Sequence, residues 1–223
     1  MITISNFDRE LIEEILKDLF ADGFAAAIKE NNMWEWLKDR EKNEERFYIN
    51  TDCASKYVID IYDSDYVVKI SRYGMNEDYC LTEYENYKKA VEDELDWAFP
   101  KTDLFDIYDG IKVFIQQKVS CDDYGVEDEF FSYAETNYTP ETSKEEDEDV
   151  FYSEVWEATQ QFDIWDALRA VFGECEETNR LCQFCRDNDI NDLHSHNFGR
   201  AGDRIYVIDF CGYRSWGGRY ERH

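Results

Sequence analysis

The stretch from Ile190 to Gly212 contains three polar side chains whose types and spacing could support phosphoryl transfer. Asp192 and Asn197 lie five positions apart in a polar segment, and Asp209 follows a short apolar run. A carboxylate can orient an attacking hydroxyl, while an amide oxygen and a second carboxylate can hold Mg²⁺, which prefers hard oxygen donors. The pattern predicts a polar loop over 191–199, a turn over 201–203 and a strand over 205–208 that together position these groups.

Two motifs in this stretch resemble those of a known superfamily. The residues 192–197 read D-L-H-S-H-N, similar to the catalytic loop D-L-H-x-x-N of aminoglycoside and choline kinase-like enzymes, which are relatives of protein kinases. The residues 207–210 read V-I-D-F, similar to the metal-binding I-D-F of the same enzymes. The resemblance implies that Asp192 orients an acceptor hydroxyl and that Asn197 and Asp209 bind Mg²⁺. The alternative is an ordinary hairpin in which Asp192 caps a turn.

A lysine upstream fits the same resemblance. Lys69 lies in V-V-K-I, which is similar to the V-A-I-K strand of kinases, where the lysine holds the phosphates of ATP. Alternation along the strand places Val67 on the same face, where it could contact adenine. A helix predicted over 80–97 would supply the glutamate that pairs with this lysine. We choose Glu83 over Glu85, although a solvated helix face is the simpler interpretation for both.

The resemblance, together with the order of the elements, implies an α+β, two-lobed protein kinase-like fold with a small antiparallel sheet lobe and a truncated helical lobe. We expect helices over 7–20 and 23–40 within an N-terminal region, 1–45, that packs on the first lobe. The sheet lobe would cover 46–119, with strands at 46–49, 57–62, 66–70, 104–108 and 111–115. An acidic insertion would cover 120–149. The helical lobe, 150–223, would contain helices over 153–172 and 176–186 and the catalytic-type loop. The backbone from Gln117 to Val119 would form the hinge that meets the adenine edge.

The chain departs from the kinase pattern in three places. The stretch 51–56, where kinases have a glycine-rich loop, contains no glycine and carries Asp52. Ile190 stands where protein kinases have a histidine, and the glycine after Asp209 comes one place late, at Gly212. Little chain follows for a substrate-binding set of helices. The resemblance therefore implies a reduced phosphotransferase acting on a small-molecule or protein hydroxyl, or a catalytically inactive scaffold.

The charge supports a second hypothesis. The chain has 52 acidic and 24 basic residues, a formal net charge of −28, and the segment 121–149 alone contains twelve acids and one base. Such a field repels nucleic acids and anionic membranes and attracts basic partners. The chain could thus be an interaction protein that resembles DNA in charge alone, as small phage inhibitors do, and occupies the basic groove of a nucleic-acid-binding defence protein.

The cysteines suggest a weaker alternative and a location. Zinc accepts thiolates and imidazoles, and Cys175, Cys182, Cys185, His194 and His196 lie near one another in the sequence. The spacing of Cys182 and Cys185, one helical turn apart among apolar residues, is more typical of core thiols. Seven cysteines without a signal peptide or a long apolar run predict reduced thiols, no membrane span and a cytoplasmic protein.

Overall fold

The chain divides into two units, here called the sheet unit and the helical unit. The computed structural model describes residues 4–38, 46–51, 53, 55–75, 77–120 and 126–212. The sheet unit comprises Met1–Asp96 and Pro100–Lys118, and the helical unit comprises Trp97–Phe99 and Val119–His223. Asp52, Cys121 and the predicted helix end at Arg40 lie outside the described residues.

A five-stranded antiparallel sheet forms the centre of the sheet unit, so the α+β class and the antiparallel sheet are confirmed. The strand order is β1-β2-β3-β5-β4. The bounds are β1 Phe47–Asn50, β2 Lys56–Ile61, β3 Tyr66–Ser71, β4 Thr102–Tyr108 and β5 Ile111–Gln117. Between β4 and β5, Asp109 and Gly110 have φ angles of 50° and 79°. Positive φ at both positions is what a two-residue hairpin turn requires, as the D-G pair predicts.

The apolar face of the sheet packs against N-terminal helices. Helix α1 spans Asn6–Ala21 and is capped by Ser5, whose Oγ accepts a hydrogen bond from the Asp8 N–H at 3.0 Å. The buried side chains of α1 recur with helical spacing and join one core with the inward residues of β2, β3 and β5. Ile59 of β2, Val68 of β3 and Ile115 of β5 thus form an apolar face of the sheet against this core.

The single helix predicted over 23–40 is wrong, because the chain forms two short helices there. Helix α2 spans Phe24–Lys29 and helix α3 spans Met33–Lys38. Asn31 adopts a φ of 54° between them, and the Asn32 N–H bonds to the Ala27 carbonyl at 3.1 Å, which terminates the first helix. The break turns Trp34 outward, and its side chain is 64% exposed.

The opposite face of the sheet carries helix α4, Tyr79–Glu92. Asp78 caps this helix by accepting from the Leu81 N–H at 3.0 Å, and it also accepts from Ser71 Oγ on β3 at 2.6 Å. These two contacts fix the start of the helix beside the strand that carries Lys69. The helix ends earlier than predicted, since Glu94 adopts a φ of 58° before a 3₁₀ turn at Asp96–Ala98.

The helical unit contains four α-helices and a hairpin among its described residues. The bounds are α5 Glu127–Asn137, α6 Glu148–Thr159, α7 Ile164–Phe172, α8 Glu176–Asp187, β6 Phe198–Ala201 and β7 Arg204–Val207. The continuous helix predicted over 153–172 is wrong. Asp163 starts a separate helix there, because its carboxylate accepts from the Trp165 and Asp166 N–H groups in a capping box.

The acidic segment is partly helical and packs within the helical unit. Phe130 of α5 is buried, with its ring centroid 5.0 Å from that of Phe162 and 5.8 Å from that of Phe198. The residues 145–149 are all exposed. Among the described residues, no helix combines the length and the hydropathy needed to span a membrane.

Candidate functional site

The loop that contains Asp192 is anchored at its start by backbone and apolar contacts. Helix α8 ends at Asp187, and Asp189 reverses the chain with a φ of 57°. The Ile190 N–H then bonds to the Cys185 carbonyl at 2.8 Å, and the Ile190 side chain is fully buried. Leu193 is also buried, whereas the Asp192 side chain between them is 41% exposed. The two apolar neighbours hold the backbone, so the Asp192 carboxylate stays accessible on a fixed chain.

Asn197 is oriented by the loop itself. Its side-chain Nδ2 donates to the Asp192 carbonyl at 2.7 Å, and its backbone N–H donates to the His194 carbonyl at 2.9 Å. Because the amide nitrogen is committed to the backbone, the side-chain oxygen points away from that hydrogen bond. Asn197 is buried, so its side-chain oxygen is held in one orientation and is a neutral ligand of the kind that hard cations such as Mg²⁺ bind.

Asp209 follows β7 and is tied to the same loop. The Ile208 N–H bonds to the Asn197 carbonyl at 3.0 Å, which places the residue before Asp209 directly against Asn197. Cys211 Sγ donates to Asp209 Oδ1 at 2.9 Å, and the carboxylate is half-buried. Two hydrogen bonds, from Asn197 Nδ2 to the Asp192 carbonyl and from the Ile208 N–H to the Asn197 carbonyl, thus connect Asn197 to the backbone of Asp192 and to the residue before Asp209. The loop predicted over 191–199 is shorter than expected, since Phe198 already belongs to β6.

The turn after Asp209 is packed tightly against the start of the loop. Phe210 is fully buried, with its ring centroid 4.9 Å from that of Phe99. Gly212 has a φ of 73°, and a Cβ at this position would lie 2.0 Å from the Asp189 carbonyl oxygen. Only glycine fits such an approach. The late glycine noted in the sequence therefore has a structural cause in this chain.

In the sheet unit, Lys69 and Glu83 form a buried ion pair. Lys69 Nζ on β3 lies 2.9 Å from Glu83 Oε2 on α4, and the two side chains are 8% and 0% exposed. The solvated interpretation of Glu83 is therefore wrong, while Glu85 is exposed as that interpretation expected. Glu83 faces the sheet because it lies on the same side of α4 as the buried Cys80 and Tyr87. Their roles in catalysis remain predictions.

Sequence reasoning missed Lys56 as a partner of this pair. Lys56 Nζ donates to Glu83 Oε1, so each carboxylate oxygen of Glu83 accepts from a different lysine. Lys56 is only 2% exposed. One signal was available, because Lys56 alternates with the inward Tyr57 and so belongs to the face of β2 that Lys69 shares across the ladder.

Two of the residues predicted to contact adenine, Val67 and Gln117, lie in the sheet. Val67 opposes Asp60 and Gln116, and Lys69 opposes Val58 and Phe114, so Val67 and Lys69 share a face. The Gln117 N–H bonds to the Lys101 carbonyl at 2.7 Å, so this donor is already used within the sheet unit. Val119 begins the helical unit. Adenine contacts by Val67, Gln117 and Val119 stay predictions.

The cysteines and histidines do not favour a zinc site. Cys182 and Cys185 are fully buried, and burial raises the pKa of Cys182 to about 11 and the pKa of Cys185 still further. Zinc binds the thiolate, which such burial disfavours. His196 Nε2 lies 3.5 Å from Glu127 Oε1, and His194 Nε2 lies 3.9 Å from Asp192 Oδ1. The histidines thus contact acidic side chains.

No protein-family model matches this chain, and no curated protein matches its sequence.

Proposed function

We propose that the chain is a reduced protein kinase-like phosphotransferase, a two-lobed relative of aminoglycoside and choline kinases that uses ATP and Mg²⁺. The observation that carries the proposal is the buried ion pair of Lys69 with Glu83. A lysine braced by a buried carboxylate keeps its ammonium group at one place on the strand. That arrangement is what a phosphate-holding lysine requires, and the motif V-V-K-I supports the same assignment.

Asn197 and Asp209 fit the requirements of a magnesium site. Both offer oxygen donors, and the Asn197 oxygen is preoriented because its nitrogen donates to the Asp192 carbonyl. Cys211 donates to one oxygen of Asp209 and so restricts the rotation of the carboxylate. When bound, Mg²⁺ would neutralise negative charge on the phosphates.

Asp192 is the proposed base. Its side chain is 41% exposed, so an acceptor hydroxyl can approach it, and its backbone is fixed by the Asn197 amide. The carboxylate would accept a hydrogen bond from the hydroxyl and orient the attacking oxygen. The acceptor would be a small molecule or a protein side chain that carries a hydroxyl.

The decisive experiment measures ATP binding with Mg²⁺ and phosphoryl transfer to hydroxyl acceptors for three variants. We expect Asp192→Asn to abolish transfer while leaving ATP binding largely intact, because it changes the base alone. Asp209→Asn should weaken the Mg²⁺-dependent part of binding, because it removes a charged metal ligand. The control is Asp203→Asn, an exposed acid in the β6–β7 turn, which should behave as the wild type.

The outcomes separate three cases. Equal transfer by the wild type and both site variants would leave no role for Asp192 and Asp209. ATP binding without transfer by the wild type would indicate a catalytically inactive scaffold. A wild type whose thermal stability does not respond to ATP and Mg²⁺ would contradict the proposal, because a bound ligand raises apparent stability by mass action.

The acidic surface favours a second candidate function, the binding of a basic protein. The five consecutive acids 145–149 are all exposed, and the first turn of α5 adds three more acids at Glu127, Asp128 and Glu129. An array of this kind accelerates association with a cationic partner. A decoy of DNA that occupies a nucleic-acid-binding groove would use the same surface.

Neutralising this run tests the second candidate. Replacing Glu145, Glu146, Asp147, Glu148 and Asp149 by their amides should slow association with a basic partner recovered from lysate. The loss should shrink as salt rises, since the Debye length falls from ~10 Å at 0.1 M to ~3 Å at 1 M. The matched control neutralises five exposed acids of the sheet unit, Glu85, Glu92, Asp93, Glu94 and Asp96. Equal losses in both variants would show that net charge alone matters, and binding that ignores salt would refute the candidate.

A further inference from the structure

Lys56 and Lys69 present their ammonium groups to the same carboxylate from the same face of the sheet. Val58 of β2 lies directly opposite Lys69 of β3, and Lys56 lies two residues before Val58. Because side chains two residues apart point to the same face of a strand, Lys56 and Lys69 share one face of the sheet. Glu83 accepts from Lys56 through Oε1 and from Lys69 through Oε2. The carboxylate therefore fixes two ammonium groups side by side.

A second lysine is more than a structural ion pair at this position requires. One carboxylate is enough to pair with one buried ammonium, yet Glu83 accepts from the ammonium groups of both Lys56 and Lys69. Removing an ammonium group from water is costly, and an apolar side chain of similar volume usually fills such a place at lower cost. Buried charges that are costly to keep cluster at functional sites. A paired arrangement of two lysines on one brace is suited to an anion.

The position of Lys56 in the chain identifies the class of anion. Lys56 directly follows the stretch 51–55, which occupies the place of a glycine-rich loop and contains no glycine. In kinases that loop covers the phosphates and lets the backbone approach them closely. A lysine can supply compensating charge and N–H donors from a flexible four-carbon stem without that close approach.

We propose that Lys56 is a second phosphate-binding residue, which forms with Lys69 an anion site for the phosphate chain of the nucleotide. Glu83 is the brace of this site, and Lys56 supplies the contacts that a glycine-rich loop would otherwise make. The inference rests on the proposed function for the identity of the nucleotide. The anion site itself can be tested without adenine and without catalysis.

The probe is inorganic tripolyphosphate, and ATP with Mg²⁺ is titrated in parallel by isothermal titration calorimetry. We expect Lys56→Met and Lys69→Met each to weaken tripolyphosphate binding about 10- to 100-fold, the range for loss of a charged hydrogen bond. The control is Lys112→Met. Lys112 lies on β5, on the face of the sheet that carries Lys69, and its Nζ is 3.3 Å from Asp78 Oδ2. Unlike Lys56 and Lys69, its side chain is 40% exposed. All three substitutions remove one positive charge, and the control should weaken binding less than about 3-fold because exposed charges are screened.

A second pair of variants keeps the test valid if Lys56→Met fails to fold. Lys56→Gln removes the positive charge but keeps a side-chain N–H that can donate to Glu83, and Lys56→Arg keeps both the charge and the donors. Circular dichroism checks that both variants are folded. Lys56→Gln should bind tripolyphosphate about 10- to 100-fold more weakly than Lys56→Arg.

The possible outcomes test the anion site and the proposed function separately. A folded Lys56→Met protein that binds tripolyphosphate as the Lys112→Met control does would overturn the inference and leave the proposed function standing. Tripolyphosphate binding that depends on Lys56, without ATP-dependent transfer by the wild type, would support the anion site and contradict the proposed function. A wild type that binds neither tripolyphosphate nor ATP would overturn both.

Discussion

Replacement of Glu83 should be among the most destabilising single substitutions in the sheet unit. The carboxylate is fully buried and accepts hydrogen bonds from two nearly buried lysines. Glu83→Ala would leave the ammonium groups of Lys56 and Lys69 near each other without the carboxylate that both contact. Glu83→Gln would also fail to replace it, because the amide nitrogen is a donor and would face an ammonium donor.

The magnitude follows from the burial of all three side chains. Removal of one partner from a buried ion pair typically costs about 3–5 kcal/mol. The whole free energy of unfolding of a domain is about 5–15 kcal/mol, so this loss is a large fraction of it. Glu85 is two residues away on the exposed side of the same helix, and Glu85→Gln should change stability by no more than about 0.5 kcal/mol.

Urea unfolding, followed by circular dichroism, measures the difference between these two variants. The transition midpoint of Glu83→Ala should fall strongly with little change in slope, whereas Glu85→Gln should overlay the wild type. A loss of stability below about 1 kcal/mol for Glu83→Ala would refute the reasoning, because removal of one partner from a buried ion pair should cost several times more.

Two further predictions concern stability. Burial raises the pKa of Asp8, but hydrogen bonds from Ser5, Ser64 and the Asp65 N–H lower it more, so its pKa lies below the ordinary value. This contribution to stability is complete above the unfolded pKa of about 4 and is lost as pH falls through the lower, folded pKa; Asp8→Asn should lower stability at pH 7 and flatten its acid dependence in urea titrations. Gly212→Ala should cost about 3 kcal/mol or more, because its Cβ would lie 2.0 Å from a carbonyl oxygen, whereas Gly202→Ala, with a φ of 60° and open space, should cost only about 1–2 kcal/mol. Equal thermal shifts in the two glycine variants would contradict the close approach at Gly212.

The strands and the first helix could be predicted because their patterns are local. Alternation and turn residues define β2, β3 and the β4–β5 hairpin, and helical spacing with a Ser5 cap defines α1. The breaks after Lys29 and Thr159 were missed because apolar spacing continues across them. They depend on a positive φ at Asn31 and on the capping box at Asp163, which are choices made by one or two residues.

The candidate site was partly predictable for a related reason. The residue types and the order of Lys69, Asp192, Asn197 and Asp209 are visible in the sequence, so these positions could be named. The burial of Glu83 could not be predicted, because it depends on which face of α4 meets the sheet. Lys56 was missed because a lysine at the start of a strand is usually exposed, and only tertiary packing removes it from water.

The path of the chain between the two units limits how the protein can be divided. The backbone enters the helical unit at Trp97–Phe99, returns to the sheet unit for the β4–β5 hairpin, and crosses again after Lys118. Ring contacts hold the segment Trp97–Phe99 within the helical unit. The ring centroids of Trp97 and Phe172 are 5.2 Å apart, and the centroid of Phe99 lies 5.8 Å from that of Phe184 and 4.9 Å from that of Phe210. A polypeptide that starts at Val119 would lack these two rings and expose the aromatic side chains they cover. The two units therefore cannot be exchanged at a single point in the chain. A new segment joined at Val119 would have to pack against Trp97 and Phe99 of the original chain, whose rings belong to the original helical unit.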